Sequence, residues 1–191
     1  MEGALSLSSP VPFPFDRDLK TQIANNLAGH ERVAIDAPEL RSAAVTIAVV
    51  PTDGEAAGFI LTRRSQGLRA HSAQYALPGG RIDAGETPDA TARRELEEEV
   101  GVTAPPGSVL GLLDDYRTRS GYLITPVVVW LQSVRNMEAQ PSEVDEIHVI
   151  ELDELDRPDS PRWVTIPESE RKVLQLPLRN RLIHAPTGAS V

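Results

Sequence analysis

GRIDAGETPDATARRELEEEVGV, residues 80–102, predicts a loop followed by a helix that carries carboxylates. Thr87 is a good N-cap, and Pro88 suits the first helical position because its missing N–H would have no partner there. Asp89 complements the positive end of the helix dipole. Gly101 lies where the helix would stop. The stretch therefore predicts a helix between Pro88 and Gly101.

The acidic residues of this helix share one face. At about 100° per residue, i, i+3, i+4 spacing places three carboxylates within one third of the circumference: Glu95, Glu98 and Glu99. A separate apolar row can pack on a core: Ala92, Leu96 and Val100. Crowded carboxylates repel each other, and a hard divalent cation with oxygen-only ligands, Mg²⁺ or Mn²⁺, removes that cost. A solvated acidic helix without chemistry is the alternative.

The spacing of the whole stretch resembles a known motif. It matches the Nudix box, G-x5-E-x7-R-E-U-x-E-E-x-G-U with U apolar, from Gly80 to Val102 without a mismatch. As a family, Nudix enzymes hydrolyse a nucleoside diphosphate linked to another group. The resemblance therefore implies a metal-dependent pyrophosphatase, and it favours the metal site over the solvated helix.

The expected catalytic roles follow from the box and its chemistry. We expect Glu98 and Glu99 to bind the metal ions, with the Gly79 carbonyl as a backbone ligand. Glu95 lies one turn earlier on the same face, where it is placed to bind a metal ion and to take a proton from water. By resemblance to the family, Arg94 orients these carboxylates.

Two further residues of the box are expected to support the site, Gly80 and Glu86, the latter as the partner of Arg94. Glu97 points roughly away from the acidic face and should be dispensable. Crowded carboxylates raise each other's pKa whereas bound cations lower it, so the metal-free and metal-loaded proteins should titrate differently.

A basic segment precedes the box in an otherwise acidic protein, and its residues are Arg63, Arg64, Arg69 and His71. Because guanidinium groups bind phosphate oxygens in pairs, we expect these residues to bind substrate. A solvated loop with unrelated arginines is the alternative.

The same segment resembles an additional signature of coenzyme A pyrophosphatases within the Nudix family, L-L-T-x-R-S-x3-R-x3-G-x3-F-P-G-G. The matching residues are Leu61, Thr62, Arg64, Ser65, Arg69, Pro78, Gly79 and Gly80. Ile60, Ala73 and Leu77 stand where the signature has Leu, Gly and Phe. Ala73 matters most, because a glycine there could reflect a positive φ that alanine resists.

A second short resemblance to these pyrophosphatases lies further along the chain. Pro141, Glu143 and Val144 match the Pro-x-Glu-Val segment that they carry before a late strand. Glu143 or Glu146 would supply a further carboxylate to the site, with a plain surface role as the alternative for either residue.

Composition excludes several other classes of protein. The 191 residues include no cysteine, so disulfides and thiolate–zinc sites are ruled out. A formal net charge of −9 argues against nucleic acid as a bulk partner. No apolar run is long enough for a membrane span and no secretory signal is visible, so we expect a cytoplasmic protein. A homodimer is compatible with the sequence, which does not fix the oligomeric state.

The remaining elements predict a mixed α/β fold. We expect a helix from Asp16 to Gly29 and strands at 43–50, 58–62, 114–118, 122–131 and 147–152. Pro126 lacks a ladder donor and should lie at an edge or a bulge. Residues 171–176 are compatible with a short helix that Pro177 ends.

These elements divide the chain into an N-terminal arm and packed short helix (1–41), a Nudix domain (42–156) and a Pro-rich extension of the same domain (157–191). The resemblance implies an α/β/α sandwich with a mixed sheet between helices.

The leading function is a pyrophosphohydrolase of coenzyme A or a derivative. A Nudix hydrolase for ADP-ribose, NADH, a dinucleoside polyphosphate or an oxidised nucleotide is the nearest alternative. A non-catalytic Nudix domain that senses a nucleotide or binds a partner is the alternative from another class, and the intact box carboxylates weigh against it. Isopentenyl diphosphate isomerase shares the fold but uses a Cys and Glu pair, and this chain has no cysteine.

Overall fold

The computed structural model describes residues 12–65, 74–160, 162–166, 169–178 and 181–184. The helices of this part of the chain are α1 (Arg17–Gly29) and α2 (Pro88–Val100). The strands are β1 (Arg41–Pro51), β2 (Ala57–Arg64), β3 (Tyr75–Ala76), β4 (Gly79–Arg81), β5 (Val109–Leu112), β6 (Tyr116–Arg117), β7 (Tyr122–Trp130), β8 (Val144–Glu151), β9 (Arg162–Ile166), β10 (Ser169–Leu178) and β11 (Arg181–His184). Short 3-10 turns span Pro106–Ser108 and Leu152–Leu155.

An eight-stranded mixed sheet forms the centre of the molecule, with the order β3-β2-β1-β7-β5. β1 and β7 run parallel, whereas the other pairs of this sheet are antiparallel. β2 pairs with the C-terminal end of β1, and β4 pairs with its N-terminal half. β2 pairs only with residues 49–51 of β1, so the same edge of β1 is free at residues 43–45 to pair with the two glycines and Arg81 of β4.

Pro126 lies inside the sheet, between β1 and the pair β5 and β6, so the expectation of an edge position was wrong. Its carbonyl accepts a hydrogen bond from Leu113 N–H, in the break between β5 and β6. The missing N–H of the proline therefore faces an irregular part of the neighbouring chain, which agrees with the alternative expectation of a bulge.

The core occupies both faces of the large sheet. Leu19, Ile23 and Leu27 of α1 pack on one face. The predicted apolar row of α2 packs on the other face, where all three side chains are fully buried. Alternate residues of β1 contribute to the core on opposite faces of the sheet, since Ala48 packs toward α2 and Val49 packs toward α1. The layers are therefore helix, sheet and helix, as the resemblance implied.

The N-terminal helix is tied to the sheet at both of its ends. Before α1, the Phe15 ring stacks on Trp130 with 4.2 Å between centroids. After α1, the chain runs along the β5–β6 break, where buried Asp115 accepts hydrogen bonds from Arg32 (2.5 Å), Ile35 N–H (3.0 Å) and Thr125 (2.6 Å). Helix α1 therefore lies within the predicted range and packs on the sheet, and residues 1–11 lie outside the described part.

The C-terminal segment differs from expectation. Residues 169–178 form β10, which pairs with β9 and β11 in a separate three-stranded sheet, so the short helix at 171–176 was wrong. A six-residue helix is marginal by itself, whereas strand pairing satisfies the same backbone groups. Neither helix in the described ranges has the length and apolar character needed to cross a membrane.

Candidate active site

Helix α2 forms as its sequence predicts. Thr87 is the N-cap and its hydroxyl accepts from Ala90 N–H, while Gly101 ends the helix at φ +73°. Inside the fold, the Thr46 hydroxyl of β1 donates to the Ala92 carbonyl at 2.8 Å. The buried apolar row and this bond fix the rotation of α2, so its acidic face is held at the edge of the sheet beside β4.

The three predicted carboxylates differ in their exposure to water. Glu98 is exposed, Glu95 is partly buried, and Glu99 is buried with 2% of its surface accessible. Glu97 is exposed and accepts a hydrogen bond from the Thr103 hydroxyl at 2.9 Å, away from this group. The exposure of the acidic face to water therefore falls from Glu98 to Glu99 within a single helical turn.

Arg94 connects the loop of the box to its helix. Its guanidinium contacts both carboxylate oxygens of Glu86 at 3.0 Å and donates to Glu95 at 2.8 Å and to Glu98 at 3.0 Å. A further bond reaches the Arg81 carbonyl at 3.2 Å. One side chain thus fixes two of the three predicted catalytic carboxylates directly, which goes further than orientation through Glu86 alone.

Glu86 is held as an anion. Hydrogen bonds from Arg94 and then from Thr91, at 2.7 Å, lower the pKa of its carboxyl to about 2. The role of Thr91 was not predicted, because a threonine in the first turn of a helix carries no sequence signal for such a bond.

The two glycines of β4 are required by close approach. Gly80 lies against the Glu95 side chain, and a Cβ at this position would overlap the carboxylate. Gly79 lies against β1, where a Cβ would overlap the Ala44 carbonyl and Val45. The Gly79 N–H also donates to Glu99. The glycine pair therefore lets strand, helix and carboxylates meet without an intervening side chain.

Acidic side chains are crowded together in the interior of the site. Burial raises the pKa of Glu99 to about 8; Arg64 opposes the shift, and Glu95 and Glu143 add to it. Burial likewise raises the pKa of Glu95, against hydrogen bonds from Arg94 and with repulsion from Glu98 and Glu143. Four carboxylates therefore act on one another in this region.

Their chemistry fits a hard divalent cation, which would remove both the repulsion and the cost of burying Glu99. Glu95, Glu98, Glu99 and the Gly79 carbonyl offer only oxygen ligands. Within the described ranges, however, no three His, Cys, Asp or Glu side chains converge on a ready-made cation site. Arg94 binds one oxygen of Glu95, Oε1, and one oxygen of Glu98, Oε2, so a cation would be bound by the other oxygen of each carboxylate while these bonds persist.

The basic segment divides between the two faces of the sheet. Arg64 lies toward α2, where its charge acts on Glu99. Arg63 pairs with Glu146 at 2.6 Å and lies 3.8 Å from Asp145. Successive strand residues point to opposite faces, so the structure brings Arg64 to the carboxylates and does not bring Arg63 there. Arg69, His71 and Ala73 lie outside the described residues.

The two candidates for a further carboxylate are separated in the same way. Glu143 lies near enough to raise the pKa of both Glu95 and Glu99, and its carbonyl accepts from Ser65 N–H at 2.8 Å. Glu146 binds Arg63 and, at 2.9 Å, His148. Of the pair, Glu143 is the one placed beside the box helix.

Comparison with known sequences agrees with this geometry. The family profile described as NUDIX domain matches residues 40–169. Nudix hydrolase 3 of Caenorhabditis elegans is 35% identical over 150 residues, which cover 74% of this chain and 62% of that protein. The uncharacterized Nudix hydrolase NudL of Photorhabdus laumondii is 41% identical over 97 residues, which cover 50% and 52%. The matched regions thus span between half and two thirds of these relatives.

Solved structures share the fold at lower sequence identity. A MutT/nudix family protein from Enterococcus faecalis superposes with a TM-score of 0.55 at 13% identity, covering 85% of this chain and 61% of that one. The NUDIX domain of Shewanella oneidensis NrtR, solved in complex with ADP ribose, gives 0.50 at 22% identity, covering 71% and 87%. At these identities the likeness concerns the sandwich and its sheet.

Proposed function

This chain belongs to the Nudix family, and from that premise we propose that it is a metal-dependent pyrophosphohydrolase acting on a nucleoside diphosphate linked to another group. One observation carries the proposal: Glu99 is buried beside Glu95 and Glu143, at a cost that a purely structural helix would avoid. Carboxylates are kept in such surroundings where their charge is used.

The proposed mechanism assigns a task to each side chain. Glu98, Glu99 and the Gly79 carbonyl would hold Mg²⁺ or Mn²⁺, whose charge would stabilise the diphosphate as its bridge breaks. Arg94 keeps Glu95 and Glu98 in place through its bonds to both. Arg64 adds positive charge at the inner end of the site.

Glu95 is the proposed general base. Among the described residues only its Oε1 accepts a hydrogen bond, from Arg94, so Oε2 is left to receive a proton. Water oxygen attacks one phosphorus, its proton passes to Oε2, and the P–O–P bridge breaks with the electron pair on the leaving phosphate. The raised pKa of Glu95 favours this role because a base works best when its pKa is close to the working pH.

For the substrate we propose coenzyme A or a derivative, cleaved to 3′,5′-ADP and 4′-phosphopantetheine. The segment signature before the box supports this choice, and Arg64, one of its matching residues, lies by Glu99. The proposed partner of the protein is therefore a small nucleotide. We also propose that the protein is located in the cytoplasm.

A matched pair of variants tests the catalytic assignment. Glu98→Gln is expected to lower turnover by about 10²-fold or more with folding intact, because it weakens the binding of the metal ion whose positive charge would stabilise the transition state. Glu97→Gln makes the same chemical change one residue away and should leave turnover within about twofold, since its side chain bonds Thr103. Equal losses in the two variants would contradict the assigned helix face.

The substrate is tested with a hydrolysis panel in Mg²⁺ or Mn²⁺. It contains coenzyme A, an acyl derivative, ADP-ribose, NADH, a dinucleoside polyphosphate and an oxidised nucleoside triphosphate. Coenzyme A is expected to give the highest kcat/KM. A higher value for any other member would replace the substrate, and tight binding without hydrolysis of any member would indicate a nucleotide sensor.

A further inference from the structure

Two arginines meet one tyrosine at the end of the large sheet nearest the box. The Arg41 guanidinium carbon lies 4.1 Å from the centre of the Tyr122 ring, and that of Arg81 lies 6.0 Å from it. Strand register brings them together, since Arg41 is paired with Tyr122 and Arg81 with Ala43. Both arginines are exposed. We refer to these three residues as the arginine–tyrosine cluster.

No described residue balances the charge of this cluster. No carboxylate of the described residues lies within ion-pair distance of Arg41 or Arg81, although the whole chain carries a net charge of −9. Within the described part of the chain, the Arg41 side chain makes one hydrogen bond, to the Ser120 carbonyl at 2.8 Å. The other donors of both guanidinium groups are therefore available to a ligand.

Packing alone accounts poorly for a second arginine. One guanidinium over a ring at an exposed site contributes about 0.5–1 kcal/mol, and Arg41 already occupies the near position. Two groups at 4.1 and 6.0 Å from one centre are at most about 10 Å apart, where like charges still repel at ordinary salt. An anion bound between them would turn that repulsion into attraction.

The cluster lies next to the proposed catalytic site along β4 but on the opposite face of the sheet. Gly80 lies against the Glu95 carboxylate, and Arg81 is the next residue of β4. The Arg81 carbonyl accepts a hydrogen bond from Arg94, which also binds Glu95 and Glu98. Because successive residues of a strand point to opposite faces, the Arg81 side chain lies across the strand from that carboxylate. Among the described strands β4 pairs only with β1, so the end of a diphosphate ester beyond its scissile bridge would reach Arg81 around the unpaired edge of β4.

We propose that the arginine–tyrosine cluster binds a phosphomonoester on the nucleotide portion of the substrate, away from the diphosphate that is cleaved. Guanidinium forks match phosphate oxygens in pairs, and stacking on Tyr122 limits the orientations that Arg41 adopts before binding. This inference rests on the proposed function, and it assigns substrate selection to Arg41 and Arg81, which lie outside the basic segment before the box.

Two nucleotides that differ by one phosphate test the proposal without hydrolysis. Dissociation constants for 3′,5′-ADP and 5′-AMP are measured by calorimetry on the full chain with Mg²⁺ present. Wild type is expected to prefer 3′,5′-ADP by at least about tenfold, as charge-assisted hydrogen bonds imply. Arg81→Gln and Arg41→Gln should each reduce this preference to less than about threefold while affinity for 5′-AMP is kept.

Arg119→Gln is the matched control. Arg119 is exposed and lies on the turn between β6 and β7, just before Tyr122, and the variant removes the same positive charge. It should keep the wild-type preference. An equal loss in this variant, an unchanged preference in Arg41→Gln and Arg81→Gln, or no preference in wild type would each overturn the proposal.

The outcomes separate the two proposals. The preference for 3′,5′-ADP over 5′-AMP could depend on Arg41 and Arg81 in a protein that hydrolyses no diphosphate ester. That result would support the phosphate subsite and refute the proposed pyrophosphatase activity. Hydrolysis of a diphosphate ester with no effect of either variant would refute the subsite and keep the enzyme.

Discussion

Replacing Gly80 by alanine adds one methyl group at the point where strand β4 meets the proposed base. That Cβ would overlap the Glu95 carboxylate, so the carboxylate has to move by about an ångström to restore an ordinary contact. The movement also strains the Arg94 bonds at 2.8 and 3.0 Å to Glu95 and Glu98. A displacement of this size typically costs about 10²-fold in rate, or about 2.7 kcal/mol of transition-state stabilisation.

The assay is kcat/KM for whichever diphosphate ester wild type cleaves fastest, measured together with urea denaturation. Gly80→Ala should lose about 10²-fold in kcat/KM and change stability by less than about 1 kcal/mol, because alanine also reduces the entropy of the unfolded chain. Gly107→Ala is the control, since its Cβ would meet nothing within 4 Å. Wild-type activity in a folded Gly80→Ala protein would refute the reasoning that the glycine positions Glu95.

Three other perturbations address the carboxylates and the fold. Arg94→Lys keeps the charge but loses the fork that contacts both oxygens of Glu86, so kcat/KM should fall by at least about tenfold in the hydrolysis assay; a wild-type value would contradict the bridging role. In metal-free buffer the Glu99 carboxyl, with a pKa raised to about 8, binds its proton more tightly when folded than when unfolded, so stability should fall as pH rises from about 4.5 to 8. Urea denaturation should show that this fall is smaller in Glu99→Gln, and a fall of equal size in the variant would refute the assignment. Asp115→Asn should cost about 1–3 kcal/mol in urea denaturation, because three hydrogen bonds, one of them buried and two partly buried, lose their anionic acceptor. The kcat should stay within about twofold, and an unchanged midpoint would show that the contact with the N-terminal segment contributes nothing to stability.

The box helix was predictable because its information is local. Thr87, Pro88 and Gly101 define its ends through contacts within a few residues, and the burial of Leu96 follows from helical spacing. The long strands β1 and β7 were predictable for a similar reason, since buried strands are continuous apolar runs.

The short strands were not predictable, because they exist only through their partners. β4 consists of Gly79, Gly80 and Arg81, residues with little strand propensity, and it forms because β1 offers unpaired backbone where β2 has left. The distinction between Glu143 and Glu146 depends on the irregular register between β2 and β8 at Arg63 and Arg64. A single sequence contains no sign of that irregularity.

The role of Arg94 was foreseen only in part. The family resemblance implied that it orients carboxylates, whereas its direct bonds to Glu95 and Glu98 depend on how α2 is rotated against β1 by Thr46 and Leu96. That rotation is set by packing over long sequence distances.

The register of β1 has a consequence for insertions and deletions. This one strand aligns Gly79 and Gly80 on one side and nine residues of β7 on the other, while its Thr46 anchors the helix. If a single residue is added or removed between 43 and 50, the side chains on one side of the change point to the opposite face of the sheet. The pairing with β4 and β7 and the position of Thr46 can then no longer all be kept. A library of one-residue length changes should therefore be depleted throughout this strand, yet tolerated in the exposed turn around Gly107.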